Sequence, residues 1–170
     1  MNTKTGKMAN KVEVSFQGVC EPSWTERAAA FTAAALKKLG RHNWKVSLLF
    51  CCNAVIKNLN ARYRFVDEPT DVLSFVLGEA DGAYFLPGDI VISLDALAEN
   101  TVFFDVSPED ELRRLLIHGI LHLAGMDHAT NETSEPMLQK QEALLGELSA
   151  EPAIMEADSK RKSGEAFKKK

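Results

Sequence analysis

Residues 107–128 read Ser-Pro-Glu-Asp-Glu-Leu-Arg-Arg-Leu-Leu-Ile-His-Gly-Ile-Leu-His-Leu-Ala-Gly-Met-Asp-His. Ser107 is an N-cap residue, Pro108 suits the first helical position, and Glu109, Asp110 and Glu111 favour the positive end of the helix they open. The helix is expected to run to Leu123 or Ala124 and to stop at Gly125. His118 and His122 lie one turn apart, so their side chains leave the same face about 6 Å apart along the axis. Gly125 can take the left-handed conformation that turns the chain, which lets His128 return to the same place. Three neutral imidazoles suit zinc and leave a fourth ligand position open, as in catalytic sites. Such an ion lowers the pKa of bound water towards about 7 and polarises a carbonyl or phosphoryl oxygen.

The spacing agrees with the H-E-x-x-H-x-x-G-x-x-H pattern of metzincin peptidases at every position but one. Gly119 stands where those enzymes carry the glutamate that activates the zinc-bound water. With no side chain to take a proton, peptide hydrolysis loses its base while the ligand set survives. Asp127, beside His128, reads as a turn residue or as an outer partner of a ligand.

Outward from this helix, the chain alternates strand and helix signals. Val12, Val14 and Phe16 alternate with polar residues as a first strand does. Ser23 and Glu26 have capping-box spacing ahead of an Ala-rich helix that Gly40 stops. Lys45 to Cys52 reads as a central strand, and Asn53 as the cap of a helix with Ile56, Leu59 and Tyr63 on one stripe. Pro69-Thr70-Asp71 turns into a strand at Val72–Leu77, and Pro87-Gly88-Asp89 into another at Ile90–Ser93. Thr133 or Ser134 is expected to start a last helix through Leu148. Four strands and four to five helices, not strictly alternating, predict an α+β sandwich (α/β layers) with a mixed sheet. The metal site falls at the end of a central helix.

The chain has 170 residues, which bounds it to one domain. A domain is expected over 11–149, with 1–10 a flexible lead-in and 150–170 a disordered tail ending on lysines. A hydrophobic fraction of 45% and a charged fraction of 26% are ordinary for a globular protein. The net charge of -4 excludes coating nucleic acid by bulk charge, though not a local basic groove. Cys20, Cys51 and Cys52 are odd in number and lack a CxxC pattern, so reduced thiols in a cytosol are expected. No apolar run reaches the length of a membrane span and no secretory signal is visible, so a cytoplasmic protein with no membrane partner is expected.

The stretch His118–His128 resembles the signature of the bacterial YbeY-type endoribonucleases. Two companions agree in order: Leu59-Asn60-Ala61-Arg62-Tyr63-Arg64-Phe65-Val66-Asp67-Glu68-Pro69-Thr70-Asp71-Val72-Leu73-Ser74-Phe75, and Gly88-Asp89-Ile90-Val91-Ile92. The resemblance covers about residues 45–147. It implies a zinc-dependent, single-strand-specific RNA endonuclease acting in ribosomal RNA processing, including 3′-end maturation of 16S rRNA, and in ribosome quality control. It implies His118, His122 and His128 as ligands of one Zn2+ per chain, and Arg64 as the catalytic arginine. It further implies single-stranded RNA and rRNA as substrates, and the ribosomal small subunit and assembly factors as partners. A guanidinium suits that role, because it stays charged, grips two phosphate oxygens and offsets charge growing on a phosphorane.

The rival readings are a zinc hydrolase of peptide or amide substrates, which Gly119 disfavours, and a non-catalytic ribosome-assembly factor braced by structural zinc. Lys45, Lys57 and Arg62 are candidates for further phosphate contacts. Ser74 could face the cleft, and Asp89 could be an acceptor behind a ligand histidine. Trp24 and Trp44 could stack on bases, though core packing suits them better, and Cys51-Cys52 read as small apolar groups in a strand. Oligomeric state is not legible.

Overall fold

The computed structural model describes residues 8–155, and residues 1–7 and 156–170 lie outside that range. In chain order the elements are β1 (Lys11–Gln17), α1 (Thr25–Lys38), β2 (Lys45–Cys51), α2 (Asn53–Arg64), β3 (Val72–Asp81) and β4 (Tyr84–Ser93), then α3 (Leu94–Phe104), α4 (Pro108–Leu123) and α5 (Pro136–Glu147). The four strands form one sheet in the order β1-β2-β4-β3. β1, β2 and β4 run parallel, and β3 pairs antiparallel with β4, which makes the sheet mixed as expected.

Side chains alternate across the strands, so each face of the sheet builds its own core. Val46, Leu48, Phe50, Ile90 and Ile92 point to the larger one, which they share with Phe31 and Leu36 of α1, Leu112 to Leu123 of α4 and Leu144 of α5. Cys51, Leu73 and Val91 point to the opposite face, where Ile56 of α2 covers them. The central α4 is the most deeply buried helix, with Leu112, Leu115, Leu116, Ile117, Ile120 and Leu121 fully enclosed. Its N-terminus follows the expectation: the Ser107 side chain accepts from the Asp110 N–H, and Pro108 opens the first turn. Its C-terminus closes with Gly125 N–H to His122 O and Met126 N–H to Leu121 O, the paired bonds of a Schellman turn, with Gly125 at φ 90.

Several local expectations are corrected. The Ser23–Glu26 capping box does not form; Trp24 precedes α1 without a side-chain cap, and the Thr25 hydroxyl donates to Pro22 O instead. Asn53 is the first residue of α2 rather than its cap, and its N–H donates to the Asp95 carboxylate of α3. The last helix starts at Pro136 rather than Thr133 or Ser134, since proline fixes the first helical φ and needs no N–H partner there. Pro87-Gly88-Asp89 lies inside β4, opposite the register shift between Val76 and Glu79. Gly88, at φ 141, sits where any Cβ would run into Phe75 O, so the glycine serves a bulge rather than a turn.

α3 was not anticipated in its own right. Its apolar residues, Leu94, Ala96, Leu97, Ala98, Val102, Phe103 and Phe104, lie all round the helix rather than on one stripe, and only Ala96 and Leu97 are buried. It exists because Ser93 caps its start and Asp105, at φ 51, ends it. At the other end of the chain the fold runs past residue 149: Ile154 is fully buried, and Arg27 Nε donates to its carbonyl. The rest of the expected tail, and most of the expected lead-in, fall outside the described residues.

Candidate metal centre

α4 and its closing turn assemble the three histidines. His118 and His122 project from one face of the last turns, and the Schellman turn at Gly125 swings His128 back to them. His122 Nε2 lies 3.1 Å and His128 Nε2 3.3 Å from His118 Nε2. The ring centroids are 4.7, 5.0 and 5.5 Å apart. Among the described residues this is the one group of three or more metal-ligating side chains.

The opposite nitrogens explain why these three point inward. His118 Nδ1 lies 2.9 Å from Gln141 Oε1, His122 Nδ1 3.0 Å from Met126 O, and His128 Nδ1 2.9 Å from Thr130 O. Gln141 presents its oxygen there because its Nε2 faces the Glu142 carboxylate. An oxygen of this kind only accepts, so each Nδ1 carries the proton and each Nε2 presents a lone pair. Three lone pairs facing one another without a proton between them repel, and a cation among them removes the repulsion. A tetrahedral zinc ion with bonds of about 2.0–2.1 Å would hold its nitrogens roughly 3.3–3.4 Å apart, close to the separations found. The donor set therefore fits a zinc ion, with Gln141, Met126 O and Thr130 O as the outer partners that hold the rings.

Burial pushes the His118 imidazole below its ordinary pKa; the Gln141 bond opposes this, and His122 and His128 add to it. Burial lowers His122 as well, against the Met126 carbonyl and the Asp127 carboxylate, with His128 and Arg64 contributing in the same direction as burial. Both rings are thereby held neutral, the state a metal ligand needs.

Arg64, the last residue of α2, donates from NH2 to Ser74 O at 3.3 Å, and Ser74 Oγ donates to Gly119 O at 3.3 Å. This chain of contacts ties the end of α2 through β3 to the turn of α4 that carries His118. The Arg64 guanidinium is exposed and close enough for its charge to act on His122. The structure thus brings together the arginine and the three histidines singled out in the sequence.

Other candidates fall elsewhere. Lys45 pairs with Glu13 and Asp81, and Lys57 with Asp67. Arg62 lies over the Tyr63 ring. Trp24 packs edge-on against Phe50 and Trp44 against Phe85, both in core roles. Asp89 is exposed, and the three histidine Nδ1 atoms bond to other groups, so it is not their acceptor. Asp127 Oδ1 accepts from the His128 backbone N–H, a turn role, and lies 3.7 Å from His122 Nδ1. Burial pushes the Cys51 thiol up to about 11, the state of an inert apolar group.

Gly119 has a structural duty beyond the missing base. A Cβ there would lie 2.7 Å from Ile90 Cγ2, a fully buried neighbour, so α4 can lie this close to the sheet only without a side chain at 119. A glutamate at this position has no room. Sequence reasoning missed Gln141, which is buried yet polar and sits on α5 at the spacing of its apolar residues. A buried glutamine on a core stripe is itself the signal that could have found it, because it needs a partner.

An open cavity of about 770 Å³ adjoins the triad, and His118 and His128 line it together with Phe104, Asp71, Arg114 and Glu142. No described helix is long and apolar enough to cross a membrane.

Comparison with known proteins gives concordant results. The family model described as Endoribonuclease YbeY matches residues 9–149. A Treponema denticola protein named Endoribonuclease YbeY is 48% identical over 147 residues, covering 81% of this chain and 93% of its own length. A Treponema pallidum (strain Nichols) protein of the same name is 45% identical over 146 residues, covering 81% of this chain and 89% of its own. The solution structure of a Thermotoga maritima protein is similar at a TM-score of 0.55 and 32% identity, over 88% of this chain and 100% of that one.

Proposed function

The chain belongs to the Endoribonuclease YbeY family, and on that premise we propose that it is a zinc-dependent endonuclease of single-stranded RNA. Its work is ribosomal RNA maturation and ribosome quality control in the cytoplasm, with small-subunit particles and assembly factors as partners. The catalytic domain starts near residue 11 and runs past 149 to include the buried Ile154. The observation that carries this reading is the convergence of three histidine Nε2 atoms at 3.1 and 3.3 Å beside an exposed arginine.

His118, His122 and His128 would hold the ion, which would supply Lewis-acid polarisation of a phosphoryl oxygen and a water of lowered pKa. Gln141, Met126 O and Thr130 O fix the rings so that no reorganisation is needed as the substrate arrives. Arg64 grips the scissile phosphate and offsets the charge that grows on it. Its bond to a neutral acceptor, the Ser74 carbonyl, orients the guanidinium without neutralising it. A flexible single strand can bring one phosphate to this point, whereas the stacked helix of a duplex cannot bend into a cleft on an acidic protein. Gly119 against Ile90 leaves no place for a peptidase base, so the peptide-hydrolase reading has no residue to carry it.

The test combines metal content with cleavage. Mass spectrometry should count one zinc per wild-type chain and a large loss in His128→Ala. The wild type should cut single-stranded RNA and spare the same sequence as a duplex. His118→Ala should fall to background, and Arg64→Ala should lose activity while keeping its metal. RNA cleavage that survives His118→Ala would sink the site assignment.

A further inference from the structure

The two flanks of the histidine triad differ in charge. On one, Arg64 donates to the neutral carbonyl of Ser74, whose hydroxyl in turn donates to Gly119 O beside His118. On the other, His118 and His128 open into the cavity of about 770 Å³. That cavity carries three carboxylates, Asp71, Glu111 and Glu142, against one cation, Arg114. Arg114 is already committed: Nε donates to Glu111 Oε2 at 2.8 Å, and NH2 donates to Glu111 Oε1 at 2.6 Å and to Asp71 Oδ2 at 3.4 Å. Away from the triad itself, the described lining residues offer a phosphate net negative charge and no uncommitted cation. A neutral, flat group with N–H donors fits better, because Phe104 offers an apolar wall and Glu142, which Arg114 does not hold, can accept.

Phe104 is 56% exposed at the end of α3, in a helix with little burial of its own, so core packing does not account for it. Val102, two residues earlier on the same helix, is 84% exposed and does not line the cavity. This pair separates general surface apolarity from a specific wall.

Resting on the endoribonuclease reading above, we propose that the cavity is a nucleobase subsite. With the scissile phosphate between the triad and Arg64, the base of an adjoining nucleotide enters the cavity and stacks on Phe104. Glu142 accepts from the base edge. Bases with an exocyclic amino donor, guanine, cytosine and adenine, are favoured over uracil, whose single N3–H lies between two carbonyl oxygens. The triad therefore sorts its substrate into phosphate on the Arg64 flank and base on the Phe104 flank.

The experiment uses the full zinc-loaded chain and a labelled single-stranded RNA in which one abasic nucleotide is walked through the cleavage site. Phe104→Ala should raise KM roughly five- to hundredfold, the range for losing one base–aromatic stack, with little change in kcat. Val102→Ala should match the wild type, and thermal melts should find both variants folded. At one position beside the cut, the abasic substitution should raise the wild-type KM by a similar factor and leave Phe104→Ala unchanged. Equilibrium binding of the same RNAs should repeat the pattern. The proposal is overturned if Phe104→Ala behaves as Val102→Ala, as it would were this apolar end a protein-docking surface. Equal abasic effects in wild type and Phe104→Ala overturn it too. A wild type that leaves all these RNAs intact, or a His118→Ala that still cuts them, points instead to failure of the endoribonuclease reading.

Discussion

The two ends of α4 carry polar side chains for opposite purposes. At the N-terminal end every buried charge is answered. Arg113 donates to Glu109 Oε1 at 2.6 Å and to the carbonyls of Leu148, Glu151 and Pro152 at 3.0–3.1 Å, and it lies over the Phe31 ring. Glu109 in turn accepts from the backbone N–H groups of Ile154 and Met155. Three turns later the histidines are answered on one side only, at Nδ1, and their Nε2 lone pairs face one another. The closed network stitches residues 148–155 to the core. The open one stores electrostatic repulsion that a bound cation relieves. A single helix thus serves both stability and chemistry, because its two ends differ in whether the last valence of each polar group is filled.

The contrast is broken most severely at Arg113. Replacing it with alanine leaves Glu109 and three carbonyls short of a donor, and breaking a buried pair of this kind costs about 3–5 kcal/mol. Arg113→Ala should therefore show a much lower denaturation midpoint, while the folded fraction still binds one zinc ion. A folded Arg113→Ala that cannot hold zinc would show that the ends are coupled.

Gly119 lies between the two ends, and its substitution should have a middling effect. A Cβ there presses on Ile90, an overpacking cost of about 1–3 kcal/mol that the helix propensity of alanine only partly offsets. Gly119→Ala should melt several degrees below wild type without gaining peptidase activity. A variant as stable as wild type would mean that α4 can lift from the sheet freely.

The smallest effect is a pH dependence confined to the closed end. Burial alone would raise the Glu109 carboxyl, but the Ile154 N–H, the Arg113 guanidinium and the Met155 N–H outweigh it and hold the pKa below the usual value. Its contribution is complete above the ordinary glutamate range and is lost as pH falls through the lowered value. Thermal melts between neutral and acid pH should show this loss, and Glu109→Gln should flatten it. An identical acid slope in both proteins would assign the loss to other carboxylates.

Much of the site was legible because its signals are local. The Ser107-Pro108 start, the Gly125 stop and the one-turn histidine spacing lie within twenty-two residues, and helix geometry converts that spacing directly into a shared face. The strand alternation at Val12–Phe16 and the apolar run of β2 were legible for the same reason. What escaped was non-local. Gln141 finds His118 from 23 residues away. Ile154 enters the core through partners on α1 and α4, although the segment around it holds few large apolar groups. Nor could α3 show a helical period, since its apolar residues lie all round the helix. Gly88 was read as turn chemistry because a glycine needed for a bulge looks the same in sequence as one needed for a turn.

The sequence by itself determined the ligand set, the helix that carries it and the absence of a peptidase base, since each follows from residue type and spacing along a few turns of backbone. Tertiary structure alone decided which nitrogen of each histidine faces inward, because that depends on acceptors brought in by α5 and by the turn after α4. It alone placed the Arg64 guanidinium where its charge reaches His122, through contacts that cross β3. It also made Gly119 obligatory for packing, as only the approach of α4 to Ile90 shows what a side chain there would strike. The reason is the same in each case: a bond along the chain is written in neighbouring residues, whereas a bond across the fold is written only where distant elements meet.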